Sequence, residues 1–222
     1  MTPDIARVTR TREEARAAYD GMSRWYDLVS GRGEKKFVAE GLRLLDAHEG
    51  ERVLEVGFGT GGALASLATA VGVAGKVSGI DISGGMAATA REKLERLGLA
   101  GRVDLVLGDA MCLPCETGSF DSVFMSFTLD LFDTPEMPVV LGECWRVLRA
   151  GGRICVVSMS ALGRRGFMTR LYLWSHRRLP AFVDCRPIYA RRETEDAGFR
   201  TLRQKVMSMW GLPVEVVVAE KD

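Results

Sequence analysis

A run of glycines begins where a short apolar stretch ends: Arg52-Val53-Leu54-Glu55-Val56 is followed by Gly57-Phe58-Gly59-Thr60-Gly61-Gly62. Glycine lets a chain turn tightly and lets a ligand approach the backbone with no Cβ in the way. Gly57, Gly59 and Gly61 are therefore candidate binding positions. The run also matches G-x-G-x-x-G through Gly57, Gly59 and Gly62, a pattern shared with dinucleotide-binding folds. Glu55 separates the two cases, because a carboxylate two residues before the turn repels a pyrophosphate and suits a ligand that carries positive charge. Asp81 stands 20 residues after Gly61 and can accept hydrogen bonds from ribose hydroxyls. Asp109 can accept from an adenine amino group, with the backbone of Ile82 and Ala110 framing the ring. Asp81 or Asp109 alone also reads as an ordinary turn or cap residue. Taken together, each at a strand end, these residues read as a site for a cationic ligand bearing an adenosine.

The elements that must position these groups follow from periodicity. Short apolar runs alternate with helical patterns, which predicts an α/β fold with a mostly parallel sheet. Strands are expected at Arg52–Val56, Lys76–Asp81, Val103–Leu107, Phe120–Ser126 and Arg153–Ser158. An antiparallel pair is expected at Phe199–Met209 and Val214–Ala219, with a turn at Gly211–Pro213. Helices are expected over Arg12–Ser30, over Glu34–Ala47, from the glycine run to Ala70, and over Arg191–Ala197. Another starts after Ser83 as cap, with Met86, Ala90, Leu94 and Leu97 on one face. A further helix is expected to open at Thr134-Pro135, with Val140, Cys144, Val147 and Leu148 as its inner stripe.

Composition narrows the function classes. The chain has 222 residues, 47% of them hydrophobic and 27% charged, which suits one α/β domain and argues against disorder. The formal net charge is +1, so nothing global favours nucleic acid as a partner. The five cysteines form no disulfide framework. Cys112-Leu113-Pro114-Cys115 is a C-x-x-C without a second pair at metal-ligand spacing, so no metal is expected. Cys144 and Cys155 fall on apolar faces. No stretch is apolar for the length that spans a bilayer, and the expectation is a cytoplasmic protein with at most peripheral membrane contact.

Several stretches carry a resemblance. Val53-Leu54-Glu55-Val56-Gly57-Phe58-Gly59-Thr60-Gly61 resembles the first motif of the class I S-adenosylmethionine-dependent methyltransferases. Asp81-Ile82-Ser83 with Met86 resembles the second. Gly108-Asp109-Ala110, Leu113-Pro114 and Ser119-Phe120-Asp121 resemble the third-strand region. Arg146-Val147-Leu148-Arg149-Ala150-Gly151-Gly152-Arg153 resembles the segment before the fifth strand, with Ala150 where proline is common. The branch it looks most like is that of the ubiquinone/menaquinone-biosynthesis methyltransferases and small phospholipid N-methyltransferases. Tyr19-Asp20 and Tyr26-Asp27 are similar to the N-terminal element of that branch.

The resemblance implies a seven-stranded Rossmann-like sheet with an antiparallel last strand. It implies S-adenosylmethionine as cofactor, bound by Tyr19, Glu55, Gly57, Gly59, Gly61, Asp81, Ile82, Met86, Asp109, Ala110 and Ser126. One domain over residues 1–222 is expected, with cap helices in 1–48 and a basic, aromatic lid insertion in 160–190. The stretch Ser126-Phe127-Thr128-Leu129-Asp130-Leu131 departs from the quinone enzymes, which usually carry a glycine and an Arg-Asn pair there.

Methyl transfer from a sulfonium is an in-line displacement in which the protein mainly orients the acceptor and excludes water. Tyr26 and His176 are the candidate proton-transfer groups; Tyr19 and Asp130 are further possibilities, and His48 reads as structural. The insertion interleaves Arg164, Arg165, Arg170, Arg177, Arg178, Arg186, Arg191 and Arg192 with Phe167, Leu171, Tyr172 and Trp174. That mixture suits an anionic lipid surface or solvent-facing arginines over a packed apolar side. The expected acceptor is a small or lipid-like molecule, with a quinol ring carbon or a phospholipid amine first. A soluble small-molecule acceptor, a nicotinamide-dependent oxidoreductase and an inactive cofactor-binding partner subunit are the other readings.

Overall fold

Strand β1 (Arg52–Val56) runs through the middle of a twisted sheet, and its last four residues are buried. In this computed structural model, which describes residues 11–22, 31–162 and 185–222, the described strands form one seven-stranded sheet in the order β3-β2-β1-β4-β5-β7-β6. Strands β2 (Lys76–Asp81), β3 (Val103–Leu107), β4 (Phe120–Ser126) and β5 (Leu148–Met159) are parallel to β1. Strand β7 (Leu212–Glu220) enters antiparallel between β5 and β6 (Arg200–Met209). The Rossmann-like α/β architecture expected from the sequence is therefore present, antiparallel last strand included.

Both faces of the sheet are covered, so neighbouring residues on one strand feed different cores. Helices α2 (Gly31–Leu45), α3 (Gly62–Ala70) and α4 (Gly84–Arg96) cover one face, packing Phe37, Leu64 and Leu94 against Val53, Cys155, Val157 and Val216. Helix α5 (Met137–Val147) and the short α6 (Ala190–Asp196) cover the other, against Leu54, Val56, Val123, Ile154 and Val217. In α2 the stripe Phe37, Gly41, Leu45 sits at helical spacing and is buried. Gly41 lets this helix lie close on the sheet, since a Cβ there would come within 2.6 Å of Val157 Cγ2. Helix α1 (Arg12–Met22) docks through Asp20, whose Oδ1 accepts from Ser83 Oγ at 2.6 Å and from the Gly85 amide at 2.9 Å.

Some boundaries move. The helix expected at Thr134-Pro135 starts at Met137. Asp133 and Glu136 close its entry instead: Asp133 O accepts from the Glu136 and Met137 amides, and Glu136 Oε2 accepts from the Asp133 amide at 3.0 Å. Leu97, expected on the inner face of α4, caps that helix and is 56% exposed. The β6–β7 turn centres on Trp210 and Gly211, both at positive φ, the pairing that suits the twist of a hairpin. Trp25, Tyr26, His176 and most of the basic insertion lie outside the described residues. Arg186, counted with the surface arginines of the insertion, is buried: its guanidinium donates to Phe132 O and Thr134 Oγ1. Arg191 and Arg192 lie on α6 and pair with Glu195 and Asp196.

Candidate functional site

The strand order reverses between β1 and β4, and the carboxyl ends of the strands there open into a cavity of about 750 Å³. One wall is the glycine turn. Gly57, Gly59 and Gly61 all take positive φ, at 73°, 51° and 77°. The Gly57 amide donates to Ile80 O at 2.8 Å, tying the end of β1 to β2. A Cβ at Gly59 would meet no protein atom within 4 Å, so it would occupy cavity space. Gly61 does not line the cavity. A Cβ there would come within 2.9 Å of Ala90 Cβ, so its bare backbone lets α4 approach the turn.

Asp81 ends β2 as expected and lines the cavity. Its Oδ2 accepts from the Gly59 amide and its Oδ1 from the Ser83 amide, both at 2.9 Å. The carboxylate thereby orders the glycine turn and the start of α4 together. Ser83 Oγ in turn accepts from the Met86 amide at 3.1 Å, the cap expected from the sequence. Burial pushes the Asp81 pKa up, against the pull of those amides. Asp109 follows β3 and accepts from the Met111 amide at 2.9 Å, with Ala110 beside it in the cavity wall.

Glu55 is 1% exposed and lines the same cavity. Burial, then the nearby Asp81 charge, hold its pKa well above the ordinary carboxylate range. Among the described residues its Oε2 has no hydrogen-bond partner. A buried carboxylate oxygen without a partner costs free energy until a donor or cation reaches it. Lys93 stands nearby, its Nζ donating to Thr60 Oγ1 at 3.2 Å, and both residues line the cavity.

Part of the cavity lining is apolar. Val38, Ala39 and Leu42 of α2 form it, with Phe127, Leu131 and Phe132 from the segment after β4. Phe127 holds φ at 48°, a backbone state that costs a non-glycine residue energy and that clusters at functional sites. Its amide donates to Val157 O at 2.7 Å and its ring meets Phe37 edge-on, which hold it there. Thr128 Oγ1 donates to Ser126 O at 3.0 Å and packs against Gly57.

Comparison with known proteins gives this arrangement a family. Residues 53–152 match a methyltransferase domain family. A demethylmenaquinone methyltransferase of Oceanobacillus iheyensis is 33% identical over 168 residues, which is 76% of this chain and 68% of that protein. The chain belongs to the class I S-adenosylmethionine-dependent methyltransferases. Among solved structures, a methyltransferase from Aquifex aeolicus superposes with a TM-score of 0.64 at 24% identity, over 96% of this chain and all of that one. The cyclase SpnF superposes at 0.76 with 19% identity, over 96% and 97% of the two chains. These two likenesses show the fold alone, and the second shows that one fold serves different reactions.

The chain is thus a methyltransferase that uses S-adenosylmethionine, and the nicotinamide-dependent reading gains no support from these comparisons. The residues present fit that cofactor: among the described residues Glu55 Oε2 is a buried carboxyl oxygen without a hydrogen-bond partner, which a ligand ammonium could satisfy, and Gly59 leaves room where a side chain would intrude. Ten of the eleven positions expected to bind it line one cavity: Tyr19, Glu55, Gly57, Gly59, Asp81, Ile82, Met86, Asp109, Ala110 and Ser126. Sequence reasoning missed Thr60, Lys93 and the apolar wall on α2. Lys93 falls two turns beyond Met86 among the charged residues of its helix, so only its contact with Thr60 reveals it.

Asp130, considered as a proton acceptor, is fully buried and does not line the cavity; its Oδ2 accepts from the Met159 amide at 3.0 Å and ties the turn after β4 to the end of β5. Cys144 and Cys155 are core residues, and burial pushes the Cys144 thiol up to about 12 and that of Cys155 higher still. His48 is exposed after α2. Among the described residues no helix is long and apolar enough to cross a membrane, and no group of three or more His, Cys, Asp or Glu could hold a metal ion.

Proposed function

We propose that this methyltransferase alkylates a ring carbon of a prenylated quinol. In this reading Asp109 and Ala110 receive the adenine, Asp81 the ribose hydroxyls, and Glu55 the ammonium of the methionine end. Gly57 and Gly59 give close backbone approach, and Ile82, Met86, Ser126 and Tyr19 complete the enclosure. Bound S-adenosylmethionine supplies a methyl group already activated on a sulfonium. The protein's own part is then to orient the acceptor in line, exclude water and take a proton from it. Tyr26 and His176 are the proposed groups for that proton.

The observation that carries the acceptor class is the apolar wall of Val38, Ala39, Leu42, Phe127, Leu131 and Phe132, continuous with the cofactor side past Ser126. An aromatic ring with an apolar tail matches such a wall; a small polar acceptor would leave it wet. The name of the relative from Oceanobacillus iheyensis points the same way. The caps in 1–48 and the methyltransferase core are read as one functional unit, and contact with an anionic lipid surface is assigned to the basic segment in 160–190.

The test is transfer of labelled methyl from S-adenosylmethionine to three acceptors: a short-chain demethylated naphthoquinol, a phosphatidylethanolamine in mixed micelles and a soluble catechol. Labelling of the quinol carbon above the other two supports the reading. Preferred labelling of either competitor refutes it.

A further inference from the structure

Lys93 sits on α4, yet it belongs to the cofactor wall. Its ammonium donates to the hydroxyl of Thr60 in the glycine turn, and Lys93, Thr60 and Glu55 line one cavity. The root of this side chain is firmly placed. Helix α4 is fixed at its start by the Asp81–Ser83 contact and in its middle by Ala90 against Gly61. Thr60 is itself buried at the foot of α3, so the ammonium engages a hydroxyl whose own backbone is held by the turn.

A cation beside a pocket for a sulfonium needs an explanation, since like charges repel. The surroundings supply one. Glu55 and Asp81 are two buried or half-buried carboxyl groups facing the same space, and among the described residues Asp109, Glu34, Lys35 and Glu136 are the other charged groups on its walls. The Asp81 charge disfavours a carboxylate at Glu55, and the Lys93 charge favours it. Without a counter-charge, a carboxyl buried beside another carboxylate keeps its proton and offers a ligand ammonium no charge.

We propose that Lys93 is a positioning residue for the methionine end of S-adenosylmethionine, fixing the Thr60 hydroxyl in the glycine turn and supplying the counter-charge to Glu55. The proposal rests on the cofactor placement proposed above. It makes a selective prediction, because Lys93 acts on the amino-acid end of the ligand and not on the adenosine.

The experiment is calorimetric titration of the wild-type chain, Lys93→Met and Lys93→Arg with two ligands: S-adenosylmethionine, and 5′-methylthioadenosine, which lacks the amino-acid end. Lys93→Met is expected to weaken S-adenosylmethionine roughly ten-fold, the scale of one charge-assisted hydrogen bond, and to leave methylthioadenosine within about two-fold. Lys93→Arg is expected to recover most of the loss. Equal weakening of both ligands would mark a merely structural lysine and overturn the proposal, as would no change in either. Wild-type protein that bound neither ligand would overturn the cofactor placement as well, and so separates the two failures.

Discussion

Replacing Gly57 with alanine should unsettle the site from its floor. The residue holds φ at 73°, and its amide donates to Ile80 O at 2.8 Å, so the backbone cannot relax to negative φ without loosening β1 from β2. An alanine kept at that φ costs about 1–2 kcal/mol. The added Cβ would also lie 2.3 Å from Thr128 Oγ1, 2.4 Å from its Cγ2 and 2.9 Å from its Cβ. Thr128 is buried, so the overlap must be relieved by shifting the segment after β4, for about 1–3 kcal/mol. The sum, about 2–5 kcal/mol, is a large share of the ~5–15 kcal/mol that holds a typical domain folded. Urea denaturation of Gly57→Ala, Thr128→Ala and the double variant measures it. Thr128→Ala alone loses the bond to Ser126 O, worth about 1 kcal/mol. In the double variant the two worst overlaps vanish, so the costs should fall short of additive by about 1–2 kcal/mol. A loss below about 1 kcal/mol for Gly57→Ala, or additivity within ~0.5 kcal/mol, would refute the reasoning.

Asp81→Asn should weaken S-adenosylmethionine by about 10–100-fold in a calorimetric titration, because an amide must turn a donor toward either the Gly59 or the Ser83 amide where Asp81 accepts from both. Near-normal affinity would remove Asp81 from the site. Glu55 gives a pH dependence whose sign is fixed by its raised pKa, caused first by burial and then by Asp81. A carboxyl raised on folding binds its proton more tightly folded than unfolded, so the ligand-free protein bears a penalty above that pKa which is relieved as pH falls through it. A cation at Glu55 favours the carboxylate and expels the proton. Affinity should therefore rise with pH through a window lying above the usual carboxylate value, by up to about ten-fold per pH unit. Glu55→Gln should flatten that profile, and an unchanged slope in the variant would count against Glu55 as the ammonium's partner. Asp20→Ala should cost about 0.5–1 kcal/mol, discounted for the exposure of the side chain, by stranding Ser83 Oγ and the Gly85 amide. Hydrogen exchange should quicken across α1, and unchanged protection there would mean the helix is held by other contacts.

The parts of the sheet legible in the sequence are those where one local signal decides. Four short apolar runs marked β1 to β4 at their observed limits, and the carboxylates at the strand ends fell where a parallel sheet must put them. Signals that act across the chain were not legible. Thr134-Pro135 has the form of a helix start, but the Asp133–Glu136 pair that brackets it closes a turn there and the helix begins at Met137. Arg186 reads as a surface arginine because its neighbours in sequence are arginines. It is buried because the loop after β4 presents the Phe132 carbonyl and the Thr134 hydroxyl to it. The apolar wall on α2 was hidden for a similar reason: Val38, Ala39 and Leu42 lie beside the buried stripe of Phe37, Gly41 and Leu45, and read as the margin of one packing face.

The same distinction explains why the cofactor was easier to infer than the acceptor. In the proposed placement the adenosine end of the ligand meets backbone and carboxylates delivered by consecutive strands, so its recognition is written in short motifs at fixed spacing. In the proposed placement the acceptor meets side chains from α2 and from the turn after β4, elements distant in sequence that line one cavity. The strain at Phe127 marks that junction. A positive φ at a bulky residue persists when the Val157 carbonyl and the Phe37 ring hold it, and both belong to elements distant in sequence. In the proposed placement the turn that departs from the quinone enzymes, Ser126 to Leu131, is where this chain would set its own acceptor geometry, with Phe127 and Leu131 lining the cavity and Asp130 buried beneath it, bonded to the Met159 amide.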